Sequence, residues 1–151
     1  MSAAPPRPEP APAAAITRPA TRADLPALLA HLDRVAAEGG VGDDVLFPLH
    51  LAVEEACANV IAHGYPDGPG PLTLAVEVRP DRVAAVLTDE ARPFRPSAAP
   101  AAPTGPVEGR AVGGLGWHLI REATDEIHHE TTARGGNRLT LVKRRPPPHT
   151  P

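Results

Sequence analysis

The sequence predicts an α+β fold, a two-layer sandwich of helices against antiparallel hairpins. Two segments with apolar residues at helical spacing come first, and two strand pairs around short polar turns follow them. Strands and helices never alternate regularly enough for a parallel βαβ sheet. The 151 residues suit a single domain with one core.

The first helix follows Thr21. Thr21 and Asp24 have the spacing of a capping box, and Pro26 falls in the first turn, where proline is tolerated. Leu25, Leu28, Leu29, Leu32, Val35 and Ala36 recur at helical spacing until Gly39 and Gly40 stop the pattern. A second helix begins near Asp43 or Asp44, whose carboxylates suit a helix N-terminus. Leu46, Leu49, Val53, Ala56 and Val60 form its buried stripe, and it ends at His63 and Gly64. Residues 65–71 (YPDGPGP) form a loop.

Residues 72–78 and 83–88 read as strands joined at Pro80 and Asp81. The next segment, 91–112, is long for a loop in a compact domain, and such loops are functional lids or disordered. Residues 115–123 form a short helix that opens on glycines, and 126–132 and 137–143 form a second hairpin around Arg134, Gly135 and Gly136. Fourteen of the 21 prolines lie in 1–12, 93–106 and 146–151, so the folded part is expected over 16–145, with tails at 1–15 and 146–151.

Scarce residues exclude several chemistries. Lysine occurs once, at Lys143, so no Walker-A or Schiff-base lysine lies within the chain. Serine occurs only at Ser2 and Ser97, both in Pro/Ala-rich segments, which argues against a serine-nucleophile hydrolase. A single cysteine, Cys57, excludes an internal disulfide and a cysteine-cluster zinc site, and reads as a small core residue. A net charge of -3 gives no basic footprint for nucleic acid. No run of 18 apolar residues and no signal-peptide pattern stands out, so no membrane span and a cytoplasmic location are expected.

Glu55 and Asn59, four apart on the second helix, share one face at the edge of its apolar stripe. An amide oxygen can ligate Mg²⁺ and a carboxylate can deprotonate a nucleophile, although the same spacing suits an ordinary solvated face. Gly113, Gly114, Leu115 and Gly116 precede a helix, and free N–H groups there favour an anion; a hinge is the alternative. Asp89 ends a strand and could accept a hydrogen bond from an exocyclic amine, or simply cap a turn. His50 and His63 are too far apart to share a metal, and Trp117 reads as an anchor for its helix.

In order, these features resemble the GHKL ATPase superfamily, and within it the small bacterial anti-sigma-factor serine/threonine kinases. Residues 51–65 (LAVEEACANVIAHGY) resemble that family's N box, Asp89 to Phe94 its adenine box, Gly113 to Ile120 its second glycine box, and Gly136 to Leu141 its closing strand. The similarity covers roughly residues 21–143. Two positions depart from the pattern: Ala91 stands where glycine is usual, and Asn137 where threonine is usual.

The resemblance implies a Bergerat fold, with helices on one face of a mixed, mainly antiparallel sheet and a lid at 91–112. ATP and Mg²⁺ would lie between helices and lid. Glu55 would be the general base, Asn59 the Mg²⁺ ligand and Asp89 the acceptor for the adenine amine. Gly113, Gly114, Leu115 and Gly116 would turn backbone groups toward phosphate. The implied activity is phosphorylation of a STAS-domain anti-sigma-factor antagonist, with sequestration of a sigma factor and a homodimeric assembly. The rival reading is a non-catalytic, partner-sequestering module of the same fold, which Ala91 favours and Glu55 with Asn59 opposes.

Overall fold

The computed structural model describes residues 13–93 and 114–147. Helices α1 (Leu25–Glu38) and α2 (Asp43–Asn59) form where the apolar spacing places them. In the turn leading into α1, Thr21 Oγ1 accepts the Asp24 N–H at 3.1 Å and donates to the Asp24 carboxylate at 2.5 Å. Gly39 caps the helix and Gly40 follows at φ +69°, a left-handed geometry that L side chains resist.

Leu49, Ala52, Val53, Ala56 and Cys57 of α2 are buried against the sheet, while Leu46 and Val60 pack only at the edge of that stripe. Beyond Asn59 the helix widens into a π-helical turn, Val60–Gly64. By length and composition alone, Asp43–Gly64 is long and apolar enough to cross a membrane, a test that a buried core helix also passes. Its stripe of apolar residues is the one that covers the sheet.

Among the described residues five strands form one sheet: β1 (Ala14–Pro19), β2 (Pro71–Val78), β3 (Arg82–Asp89), β4 (Glu126–Thr131) and β5 (Asn137–Arg144), in the order β1-β2-β3-β5-β4. Every pairing among the described residues is antiparallel, in line with the expected, mainly antiparallel sheet. β1 is a correction, since the expected tail includes Ala14 and Ala15. Five of its six residues are exposed, so its sequence carries no inward-outward alternation, and pairing with β2 holds it.

Helix α3 (Gly114–Ala123) packs on α2, and Trp117 and Ile120 enter the core, so the tryptophan anchors its helix. Side chains of a strand alternate between faces. Leu72, Leu74 and Val76 of β2, Val83, Ala85 and Leu87 of β3, and Leu139 and Leu141 of β5 form the face under the helices. One further step of the same alternation brings Asp89 and Asn137 onto that face, opposite each other in register and both buried.

The two faces of α2 predict opposite outcomes. Leu49→Ala, at a fully buried position, should cost about 2–5 kcal/mol in denaturant unfolding. Phe47→Ala, at a position 66% exposed, should change stability by no more than about 0.5 kcal/mol. Equal losses would mean that α2 is docked on a different face.

Candidate functional site

The last residue of β3 is a buried carboxylate. Asp89 is 6% exposed, and among the described residues both of its hydrogen bonds fall on Oδ1: the Ala91 N–H donates at 2.9 Å and Asn137 Nδ2 at 2.9 Å. The second hydrogen on Asn137 Nδ2 goes to the Arg92 carbonyl at 2.8 Å, and His129 Nε2 lies 2.9 Å from Asn137 Oδ1. The β3–β5 contact is close at this point. A Cβ on Gly136 would stand 2.0 Å from the Asp89 carbonyl oxygen and 2.8 Å from Glu90 Cα.

The other half of the site lies between α2 and α3. A Cβ on Gly116 would stand 3.0 Å from Glu55 Oε2 and 3.8 Å from Asn59 Oδ1, so the first turn of α3 passes directly over both side chains. Glu55 and Asn59 are half-buried there. Among the described residues Asn59 Nδ2 is buried with no hydrogen-bond partner, an arrangement that costs about 1–3 kcal/mol and is rare in a folded protein. The α-helix ends at Asn59 and the π turn begins one residue later; such turns are frequent at functional sites.

That turn links the two halves. A Cβ on Gly64 would stand 3.0 Å from the Ala91 Cβ and 3.2 Å from Val60 Cγ1, so the missing Cβ makes room for the methyl beside the carboxylate strand. Tyr65 follows. Its hydroxyl donates to the Pro71 carbonyl at 2.6 Å and accepts the Glu90 N–H at 2.7 Å. Burial is the largest cause holding this phenol above its ordinary pKa, and the Glu90 N–H pulls the other way.

Glu55, Asn59 and Gly116 thus come together, and Gly114 and Leu115 are the first two residues of α3. Asp89 lies at the far side of the π turn. Gly113 and residues 94–112 of the expected lid lie outside the described residues. Cys57 is a core residue whose thiol is pushed up to about 12, first by burial and then by the Glu54 charge. His50 bonds Asp33 at 2.8 Å, half-buried, and His63 is exposed. Sequence reasoning gave no role to Tyr65 or His129. The hairpin register, which sets Thr131 opposite Asn137 and His129 opposite Leu139, was the signal that places His129 diagonal to Asn137.

The donors fit a hard cation beside phosphate: an amide oxygen and a carboxylate at a helix N-terminus, next to an amide nitrogen with no partner among the described residues. Among the described residues no group of three or more His, Cys, Asp or Glu could hold a metal by itself.

A family model described as the histidine kinase-like ATPase domain matches residues 18–143. The chain is 32% identical over 98 residues to a serine-protein kinase RsbW of Halalkalibacterium halodurans, covering 62% of this chain and 60% of that protein. It is 31% identical over 102 residues to the serine-protein kinase RsbW of Bacillus subtilis, covering 64% of each. The chain therefore spans somewhat less than two thirds of the curated relatives it matches. Among solved structures it resembles the RsbU and RsbW domains of a Mycobacterium tuberculosis protein, with a TM-score of 0.62 at 21% identity over 94% of this chain and 35% of that one. It also resembles the histidine kinase domain of a blue-light-activated kinase from Erythrobacter litoralis, with a TM-score of 0.51 at 16% identity over 77% and 60%. These two likenesses are of fold.

The close approach at Gly136 is testable without any ligand. Gly136→Ala sets a methyl against fixed backbone rather than a flexible side chain, and should cost about 1–3 kcal/mol in denaturant unfolding. A neutral substitution would show that β3 and β5 are not in this contact at the Asp89 end.

Proposed function

This chain belongs to the histidine kinase-like ATPase domain family, and from that premise we propose that it binds ATP with Mg²⁺ and phosphorylates a serine or threonine of a partner protein. The observation that carries this is the pair on α2: Glu55 and Asn59 under the glycine turn of α3, with the Asn59 amide nitrogen buried and, among the described residues, unpartnered. The curated relatives named serine-protein kinase support the reaction class.

Each residue then has a task. Asp89 accepts the adenine amine, and the first N–H groups of α3, from Gly114, Leu115 and Gly116, face phosphate, where the helix dipole favours negative charge. We extend the same task to Gly113. Asn59 would hold Mg²⁺ through its amide oxygen, and the bound ion would neutralise phosphate charge. Glu55 takes the proton of the incoming hydroxyl as its oxygen attacks the γ-phosphorus. The bond from that phosphorus to the β,γ-bridging oxygen breaks, and ADP leaves with the electron pair.

The N-box resemblance extends the proposal to partners. The phosphorylated protein would be a STAS-domain anti-sigma-factor antagonist, and the same chain, as a homodimer in the cytoplasm, would hold a sigma factor when the antagonist is phosphorylated. A second function, sequestration without phosphotransfer, is favoured by one observation. The outer face of α2 presents Phe47 and Leu51, the exposed large apolar residues among those described, beside the carboxylates of Asp33 and Glu54.

Three variants separate the roles. Glu55→Gln should leave ATP affinity nearly unchanged and lower phosphate incorporation into antagonist domains by about 10²–10⁴-fold. Asn59→Ala should weaken nucleotide binding only when Mg²⁺ is present. Asp89→Asn turns an acceptor toward the base into a donor and should reduce ATP affinity about tenfold. Tight partner binding by the parent with no phosphate transfer to any antagonist domain would leave sequestration as the function.

A further inference from the structure

The base end of the site contains more than its carboxylate. Asn137 is 6% exposed, stands opposite Asp89 in the β3–β5 register, and belongs to the strand that closes the sheet. Its amide nitrogen has two hydrogens to give. One goes to Asp89 Oδ1 and the other to the Arg92 carbonyl. Its amide oxygen meets His129 Nε2.

This pattern fixes the amide in one orientation. Turned over, the oxygen would face a carboxylate and a carbonyl, two acceptors, with nothing between them to share. His129 in turn must present Nε2 as a donor, because the atom it meets is an amide oxygen. The Ala91 N–H adds a second donor at the same Asp89 oxygen. Two donors from two chain segments therefore hold Oδ1, and the rotation of the carboxylate is set before any ligand arrives.

We propose that Asn137 is the positioning residue of the base site: with His129 behind it, it fixes the Asp89 carboxylate so that Oδ2 is the acceptor presented to the 6-amino group of a purine nucleotide. This rests on Asp89 being the base acceptor. Asn137 itself does not touch the base; it acts through Asp89 and by tying Arg92 to the end of β3. A residue of this kind governs selectivity more than affinity in general. Without it the carboxylate can turn, and the energy of ordering it falls on the one hydrogen bond made to the amine.

The experiment compares ATP with purine riboside triphosphate, which has hydrogen in place of the 6-amino group. Binding is measured by calorimetry on the full chain as parent, Asn137→Ala and His129→Ala, each first checked for a cooperative thermal transition. The parent should prefer ATP by about tenfold or more, the discrimination that one matched buried hydrogen bond gives. In Asn137→Ala the ATP affinity should fall about five- to tenfold while the analogue binds almost as before, so that the preference collapses. His129→Ala should move in the same direction by less, and it decides the matter if Asn137→Ala does not fold.

A merely structural role predicts something else: both nucleotides weaken together and their ratio holds. That result, in whichever variants fold, overturns the proposal and leaves Asp89 as the acceptor. A parent that binds both nucleotides equally overturns the assignment of Asp89, and the proposal with it.

Discussion

Taking an ionised carboxylate out of water costs several kcal/mol unless hydrogen bonds replace the lost solvent, and Asp89 is 6% exposed at the end of a central strand. Much of the local architecture answers that requirement. The pleat of β3 points Asp89 to the helix face, because Val83, Ala85 and Leu87 already do so at the same period. The donors then have to come from the neighbouring strand and from the chain just beyond. Asn137 on β5 and the Ala91 N–H supply them. The strand cannot simply continue, since the residue that caps its carboxylate is two positions further on.

The same requirement explains which glycines matter. Asn137 reaches Asp89 only because Gly136, one residue before it, carries nothing that would push the two backbones apart. Gly135, at φ +83°, turns the chain immediately ahead of that contact. On the helix side, Gly64 and Gly116 are the points at which the π turn and α3 come down on the site. Tyr65 fastens the exit of the π turn to β2 and to the residue after Asp89 at once. Glu55 and Asn59 share a helix with Leu49, Val53 and Ala56. Their positions are therefore set by the packing of the core.

Most of the fold could be read from periodicity. The stripes Leu28–Leu32–Ala36 and Leu49–Val53–Ala56 and the alternation Leu72–Leu74–Val76 each announce one buried face, and the helices and hairpins follow. β1 could not be read, because Ala14–Pro19 buries almost nothing and exists by pairing with β2. The strand order could not be read either: the place of a strand in a sheet is a long-range fact, and β5 inserts between β3 and β4. At the site, the i, i+4 spacing of Glu55 and Asn59 was visible. Their nearness to Gly116 was not, because it depends on α3 crossing α2, which no local pattern encodes. Nor could local pattern show His129 behind Asn137, a contact that needs the hairpin register.

Ala91 is where sequence and structure weigh differently. In the sequence it is a methyl intruding beside the base, the feature that favours a module without catalysis. In the structure the methyl lies against the backbone of Gly64, where any side chain would leave a gap of only 3.0 Å to the nearest carbon. The two positions are therefore coupled: a small residue on the π turn allows a larger one after β3, and adding bulk at both would overfill the same space. The Ala91 N–H, which the methyl does not affect, still donates to Asp89. Whether the chain binds nucleotide thus depends less on the presence of that Cβ than on whether Gly64 continues to absorb it. Ala91→Gly should accordingly loosen the packing at Val60 and Gly64 more than it opens the base site, a gain in local flexibility rather than in affinity.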